Sequence, residues 1–416
     1  MALSLKTVVF SDGERYPMLL DEAGIPDWNA TLFITTQLRN ASKASNTMAA
    51  VLGAIRLLFV WADRNRVDFE VRFAEREFLT REELESIRQH TQTLVKEEPD
   101  DMIVARDKRP RRIETARAVV HPRQKSVSSA TQYIRLTYIA NFIHWLSVRV
   151  VEQQSKQLSV EDQTRIKAMV EGIRRLRPVR RTRSLLNARK ALSQQDQSRL
   201  RDLVQVATDE NVFHSDLHKR NKVIVELLLS FGLRAGELLA LKVGDFDFQT
   251  NEVVIARRPD DVEDPRAKQP TLKTLDRRLA MSQPLAKMVM DYVMTDRSKV
   301  RPARKHPFLL VTMKPGPFYG RPLSYDALAK LFPKLRDALG ADVSLSAHVL
   351  RHSANENLSR LYDEQKAEPA EEEKVRSYMM GWREGSGTAA IYTRRHIEEK
   401  AKEASLKLQK RITNDE

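Results

Sequence analysis

The sequence predicts a mainly helical protein with a small antiparallel β-sheet in its C-terminal half. Three observations carry that expectation. Only 13 of 416 residues are glycine, and long Ala-, Leu-, Glu-, Lys- and Arg-rich stretches favour helix. Apolar residues recur at three- and four-residue steps through much of the chain. Two segments, "FDFQTNEVVIARR" and "LKTLDRRLAM", instead read as strands, separated by a polar loop containing Asp and Pro. A chain of this length holds two or three domains, and a hydrophobic content of 41% suffices for real cores.

Residues 1–30 read as short strands and turns ("TVVF", "SDGERY", "MLLDEAGIP"). Residues 47–62 read as a helix, with Met48, Val51, Leu52, Ile55, Leu58 and Phe59 at helical spacing. A helix over 80–96 opens on "TREE", where Thr80 and Glu83 have the spacing of a capping box. The stretch "ARDKRPRRIETARAVVHPRQK" is basic, holds two prolines and lacks periodicity, so it reads as an exposed loop. Helices follow at 128–150, with Tyr133, Leu136, Ile139, Ala140, Ile143 and Leu146 on one side, and at 160–176. A second basic break, "RRLRPVRRTRS", comes next. "VIVELLLSFGLRAGELLAL" reads as a helix, a tight turn at Gly232 and a second helix. Helices return after 325 and dominate to the end, and no solenoid repeat is visible. The organisation expected is an extension (1–30), a helical region with basic loops (31–205) and a C-terminal domain (206–416).

The formal charge is +15 and the pI about 9.8. Such an excess points to a polyanionic partner, because Lys and Arg release counterions condensed on nucleic acid; a membrane surface is the competing reading. The absence of cysteine excludes disulfides, thiolate catalysis and Cys-ligated zinc. "MALSLKTVVFSDGERYPML" has no long apolar core, so it is no signal peptide. The run "MAAVLGAIRLLFVWA" is too short to cross a bilayer and contains Arg56. A soluble, intracellular protein is expected, in the cytoplasm beside the nucleoid. No Walker-type GxxxxGK[ST] is present. In "HSDLH", His214 and His218 stand four apart without a third ligand, which suits a helix-start surface pair better than a metal site.

Several polar residues could form a site. Arg234 in "GLRAGELLAL" precedes Glu237 by three, and a Glu one turn away can hold an arginine through a charge-assisted hydrogen bond. His348 and Arg351 in "SAHVLRHS" stand three apart, on one helix face. Lys273 in "LKTLDRRLAM" sits at a strand edge or hairpin turn, where a lysine can protonate a leaving alkoxide; Lys268 in the preceding loop is the alternative. Trp382 in "YMMGWREG" offers an indole N–H or a buttressing ring. Tyr392 in "GTAAIYTRRH" is the candidate nucleophile, with Tyr378 and Tyr362 as fallbacks. Taken singly, each is an ordinary surface pair, edge lysine or core aromatic.

Their order along the chain resembles the tyrosine recombinase (phage integrase) family over about residues 206–400. "FGLRAGELLALKVGDFD" and "HVLRHS" are similar to its two arginine boxes, and "IYTRR" to its tyrosine box. The resemblance implies a two-domain DNA clamp, a helical core-binding domain plus a catalytic domain. It implies that Arg234 and Arg351 clamp the scissile phosphate and that Tyr392 attacks phosphorus, leaving a 3′-phosphotyrosyl link and a 5′-hydroxyl. Lys273 would protonate the departing oxygen, His348 would act as general base, Trp382 would stand where many members carry histidine, and Glu237 would orient Arg234. No cofactor or metal is implied, because the arginines neutralise the charge. The interval from Trp382 to Tyr392 is one residue longer than the common family pattern, and "YDEQKAEPAEEEKV" looks like an acidic insertion.

In the N-terminal half, "SSATQYIRLTYIANFIHWL" is similar to a core-binding segment. The basic breaks offer Arg106, Lys108, Arg109, Arg111 and Arg112, then Arg174, Arg175, Arg177, Arg180, Arg181 and Arg183, as phosphate contacts that position rather than specify. In the tail, Ile397, Ala401, Ala404, Leu408 and Ile412 form an apolar stripe that either folds back or docks on a neighbouring copy. The partners expected are double-stranded DNA and further copies of the chain, as a dimer to tetramer on DNA, with room for accessory proteins and no membrane. A type IB topoisomerase uses the same chemistry, and a non-catalytic DNA-binding protein on this scaffold is the alternative from another class.

Overall fold

A computed structural model describes residues 3–93, 126–155, 157–179, 191–206, 208–270, 272, 274–340, 343–366, 368–383 and 404–409. The chain divides into two compact units, Met1–Val9 with Arg15–Ser184, and Phe10–Glu14 with Leu185–Glu416. Both are mainly helical, and the second holds a three-stranded antiparallel sheet.

In the first unit, β1 (Ser4–Val9) pairs antiparallel with β2 (Arg15–Leu20). Then comes α1 (Trp28–Phe33), capped by the Asp27 carboxylate, which accepts from Ala30 N at 2.8 Å. It runs on as a π-helix over Ile34–Arg39, which the apolar pattern does not announce. The predicted helix at 47–62 is α2 (Ser45–Asn65), ended where Arg66 turns to φ +56°. A short α3 (Phe69–Ala74) follows. The capping box at Thr80 and Glu83 is formed and starts α4 (Arg81–His90), which stops short of the predicted residue 96. The two remaining helices are α5 (Ser129–Ser155) and α6 (Val160–Arg175).

Burial of Leu52, Ile55, Phe73, Ile87, Leu136 and Phe142 makes one core from α2 to α6. Phe33 meets Phe142 edge to face at 5.3 Å. At 21 residues α2 is longer than its apolar run suggests, and among the described residues it alone is long and apolar enough to cross a membrane. Its Met48, Val51, Leu52, Ile55 and Leu58 are spent on this core, as in an interior helix of a globular unit.

The second unit is built on α7 (Gln194–Asp202), α8 (His218–Phe231) and α9 (Ala235–Ala240). The segment expected as one strand is a hairpin: β3 (Phe246–Asp247) turns through Asn251, at φ +54°, into β4 (Glu252–Ile255). The third strand, β5 (Arg277–Ala280), pairs with β4 with Ile255 opposite Arg277. Helices α10 (Gln283–Asp291), α11 (Tyr325–Ala329), α12 (Leu331–Leu339) and α13 (Ala347–Gln365) complete the layer around α8. Leu227, Leu228, Leu335, Val349 and Leu350 lie in its core.

The stretch that reads as an acidic insertion is a helix boundary. Lys366 turns α13 off at φ +49°, and Pro369 opens α14 (Pro369–Met380) at its first position, with Glu371 and Glu372 in the first turn. Both placements suit a helix start, since proline lacks the N–H that goes unused there and carboxylates favour the positive end of the dipole. Of the tail, 404–409 is helical, with Leu406 and Leu408 exposed.

Candidate active site

The site grows from the turn between α8 and α9. Gly232 ends α8 at φ +58°, and a Cβ there would come within 2.8 Å of Met380 Cε and 3.2 Å of Ala354 Cβ. The carbonyl of this glycine accepts from Arg351 Nη1 at 2.5 Å. Two residues on, Arg234 precedes α9, and its backbone N–H donates to the Glu237 carboxylate at 2.9 Å.

Glu237 is the hub, buried to 1% exposure. It accepts from Arg277 Nη2 at 2.9 Å and from the Thr274 hydroxyl at 2.5 Å, and lies 3.6 Å from Nη1 of both Arg351 and Arg234. Burial pushes its carboxyl up, but the Arg277 and Arg351 guanidiniums and the Thr274 hydroxyl outweigh burial and hold it below its ordinary value. Glu237 therefore holds Arg234 through the backbone N–H, while its closest guanidinium partner is Arg277. Nη1 of Arg234 is buried without a hydrogen-bond partner. A cationic donor in that state suits an incoming anion.

Arg351 is buried on α13, and its fork is fixed by two backbone carbonyls, those of Gly232 and, at 3.0 Å, Met380. The Trp382 ring lies 5.4 Å from its guanidinium carbon. The indole is thus a cation–π platform for Arg351, and its backbone N–H donates to Ser377 O at 2.8 Å. His348, one turn before Arg351, is exposed, with Nε2 3.0 Å from His352 Nε2.

Arg234, Glu237, Arg351 and Trp382 are thus joined by direct contacts, and His348 stands beside them on α13. Lys273 and Tyr392 lie outside the described residues, as do Arg106, Lys108, Arg109, Arg111, Arg112, Arg180, Arg181 and Arg183. Lys268 is exposed in its loop. The hydroxyl of Tyr378 donates to Arg278 O at 3.1 Å, on the outer side of β5. Burial and the nearby Glu371 and Glu372 push the Tyr362 phenol above its ordinary value, which disfavours a phenolate there. His214 and His218 make local bonds, to Asp216 N at 3.5 Å and Phe213 O at 2.8 Å. Among the described residues no three His, Asp or Glu side chains gather as a metal set.

Two members were not read from the sequence, Arg277 and Thr274. Arg277 points inward from β5, with Nε donating to Met379 O at 2.7 Å, while Arg278 points outward to Glu252. Gly381 closes the site at φ +64°; a Cβ there would stand 2.7 Å from Arg277 Nη1 and 3.0 Å from Leu275 O. The alternation of Arg277 and Leu279 inward was the available signal.

Residues 195–399 match the phage integrase family. Over 142 residues the chain is 27% identical to transposase A from transposon Tn554 of Staphylococcus aureus, a match covering 34% of this chain and 37% of the transposase. Over 134 residues it is 26% identical to tyrosine recombinase XerD of Halalkalibacterium halodurans, covering 32% of this chain and 38% of XerD. The matched segment therefore spans little more than a third of these relatives. The crystal structure of XerA recombinase aligns over 88% of this chain and 92% of its own, at 15% identity and a TM-score of 0.35. Through the segment that holds Arg234, Glu237, Arg351 and Trp382, the chain belongs to the phage integrase family, the tyrosine recombinases.

Proposed function

We propose that the protein is a site-specific DNA recombinase that cuts and rejoins strands through a covalent 3′-phosphotyrosine. The observation that carries the reading is the Glu237 hub, where one buried carboxylate gathers Arg277, Arg351 and the backbone of Arg234. Planar guanidiniums held this way match the non-bridging oxygens of a phosphodiester and stabilise the charge that builds on them in the transition state.

In the proposed reaction Tyr392 Oη attacks phosphorus in line, and the bond from phosphorus to the 5′ oxygen breaks. Lys273 gives that oxygen a proton. His348 acts as general base, taking the tyrosine proton or, in the rejoining step, that of the attacking 5′-hydroxyl as the bond from phosphorus to Tyr392 Oη breaks. The phosphotyrosine keeps the diester's energy, so the cycle calls for neither ATP nor a metal. Arg106, Lys108, Arg109, Arg111 and Arg112, with Arg180, Arg181 and Arg183, would contact the backbone of double-stranded DNA from the helical half, which completes a clamp. Copies of the chain assemble on DNA as a dimer to tetramer, through the stripe of residues 397–412, in the cytoplasm at the nucleoid.

The test is a nicked suicide substrate carrying a candidate recombination site, incubated in EDTA and resolved under denaturing conditions. The native chain is expected to form a protein–DNA adduct and Tyr392→Phe none, with Tyr378→Phe unaffected. Tight binding without adduct would favour a non-catalytic binder on this scaffold, and an adduct that survives Tyr392→Phe would mean a different nucleophile.

A further inference from the structure

A second surface of the C-terminal unit, built on other elements than the site, carries its own message. The loop 312–321, "TMKPGPFYGR", is pinned at its base. Thr312 N donates to Arg321 O at 2.9 Å, Gly320 N to Thr312 O at 2.8 Å, and Val311 bridges Pro322. Pro315 and Pro317 restrict the tip. Gly320, at φ +73°, lets the loop pack on the turn Arg301–Lys305: a Cβ there would stand 2.6 Å from Pro302 Cβ. His306 Nε2 lies 2.8 Å from Gly320 O, and the buried Arg297 donates to the carbonyls of Ala303, His306 and Phe308. Loop and turn form one braced platform.

That platform displays Phe318 and Tyr319 at 62% and 37% exposure, with the Arg321 guanidinium 5.6 Å from the Phe318 ring. The loop also carries Lys314 and Arg321, and the turn it packs on carries Arg301, Arg304 and Lys305, with Lys299 just before it; all six cations are exposed. Residues 297–325 contain no Asp or Glu, and among the described residues no carboxylate pairs with any of the six. Like charges packed without counter-charge repel one another, so the arrangement is relieved by a dense polyanion. Bare aromatics between the cations add apolar faces that a phosphate alone does not use but a nucleic acid does.

We infer that this platform is an additional contact surface for duplex DNA. Its cations take the sugar–phosphate backbone, and Phe318 and Tyr319 seat against the sugars and base edges. The inference rests on the proposed function only in taking DNA as the partner. Because loop and turn are braced before binding, little ordering entropy is lost on contact.

The test is equilibrium binding of the full chain to a fluorescent duplex of arbitrary sequence, over about 50–200 mM salt. The triple substitution Arg304→Ala, Lys314→Ala and Arg321→Ala is expected to weaken binding at least tenfold and to lower the slope of log affinity against log salt by about 2–3. Phe318→Ala with Tyr319→Ala is expected to weaken binding about fivefold with the slope unchanged. Thermal melts of each variant confirm the fold. A triple variant with native affinity and slope overturns the inference; if that variant has also lost binding to polyglutamate, the surface belongs to an acidic protein. Adduct formation is read separately. A chain that makes the adduct but whose slope ignores the triple substitution overturns the platform alone. A chain that makes no adduct while its slope falls as stated upholds the platform and sinks the catalytic reading.

Discussion

Arg277 and Glu237 form an ion pair in which both side chains are 1% exposed, with Nη2 and Oε2 2.9 Å apart. Removing one partner of a buried pair costs up to about 3–5 kcal/mol, and without Arg277 the closest guanidiniums to Glu237 are those of Arg351 and Arg234 at 3.6 Å. Arg277→Met is therefore expected to lower stability by about 2–4 kcal/mol in urea unfolding. Arg277→Lys should recover only part of it, because the guanidinium also spans to Met379 O at 2.7 Å and an ammonium has no planar fork. A Lys variant with the native midpoint would contradict this account.

Glu237 makes the site sensitive to acid. Its folded pKa lies below the ordinary value of 4.5, so the unfolded chain binds the proton first. The stabilisation is complete above the unfolded value and is lost as pH falls through the folded one. Unfolding midpoints of the native chain should drop on acidification below pH 4.5, and Glu237→Gln should show a shallower dependence in that window. Salt should change the effect little, unlike that of the half-exposed pair Arg278–Glu252.

The two site glycines should tolerate alanine unequally. Both have positive φ, a strain of about 1–3 kcal/mol for a residue with a side chain. At Gly232 the closest obstacle is the flexible end of Met380, whereas at Gly381 it is the buried Arg277 guanidinium and the Leu275 carbonyl. Gly381→Ala is expected to cost the more by at least about 1 kcal/mol. Equal melting points for the two variants would show that the Arg277 fork gives way easily.

Trp382 presents its ring to Arg351, so aromaticity matters there. Trp382→Phe should keep adduct formation within about fivefold, and Trp382→Ala should cut it more than tenfold, in line with a cation–π contribution of about 0.5–2 kcal/mol plus lost packing. Single-turnover rates on the suicide substrate check this. If Phe is as poor as Ala, the indole N–H is what the reaction uses. On the same assay Arg351→Ala should lose about 10²–10³-fold or more.

The long amphipathic helices were legible because apolar spacing reports directly on which face is buried; α2 and α5 are the cases. The short α1 and α3 were not, since six residues carry less than two turns of pattern, and the π-helix at Ile34–Arg39 breaks the period altogether. In the site, Arg234, Glu237 and Arg351 stood out as parts of local motifs. Arg277 and Thr274 did not, because they join Glu237 across 40 and 37 residues of chain. A strand arginine looks solvated until the register says which side it faces. That Glu237 grips Arg234 by its main chain is likewise a matter of geometry that spacing alone does not fix.

The fork of Arg351 leans on the carbonyls of Gly232, which caps α8, and Met380, the last residue of α14, and Arg277 takes Met379 beside them. Those oxygens are the ones a helix leaves without an internal partner. The setting of Arg351 is thus assembled from helix ends drawn from 119 and 29 residues away in sequence, and the cluster around Glu237 needs α8, α13, α14 and β5 all docked. If the protein cuts DNA as proposed, that competence depends on long-range docking and not on any one local motif. On the proposed function, a nascent or partly unravelled copy would hold the separate arginines but not the arrangement that grips a strand.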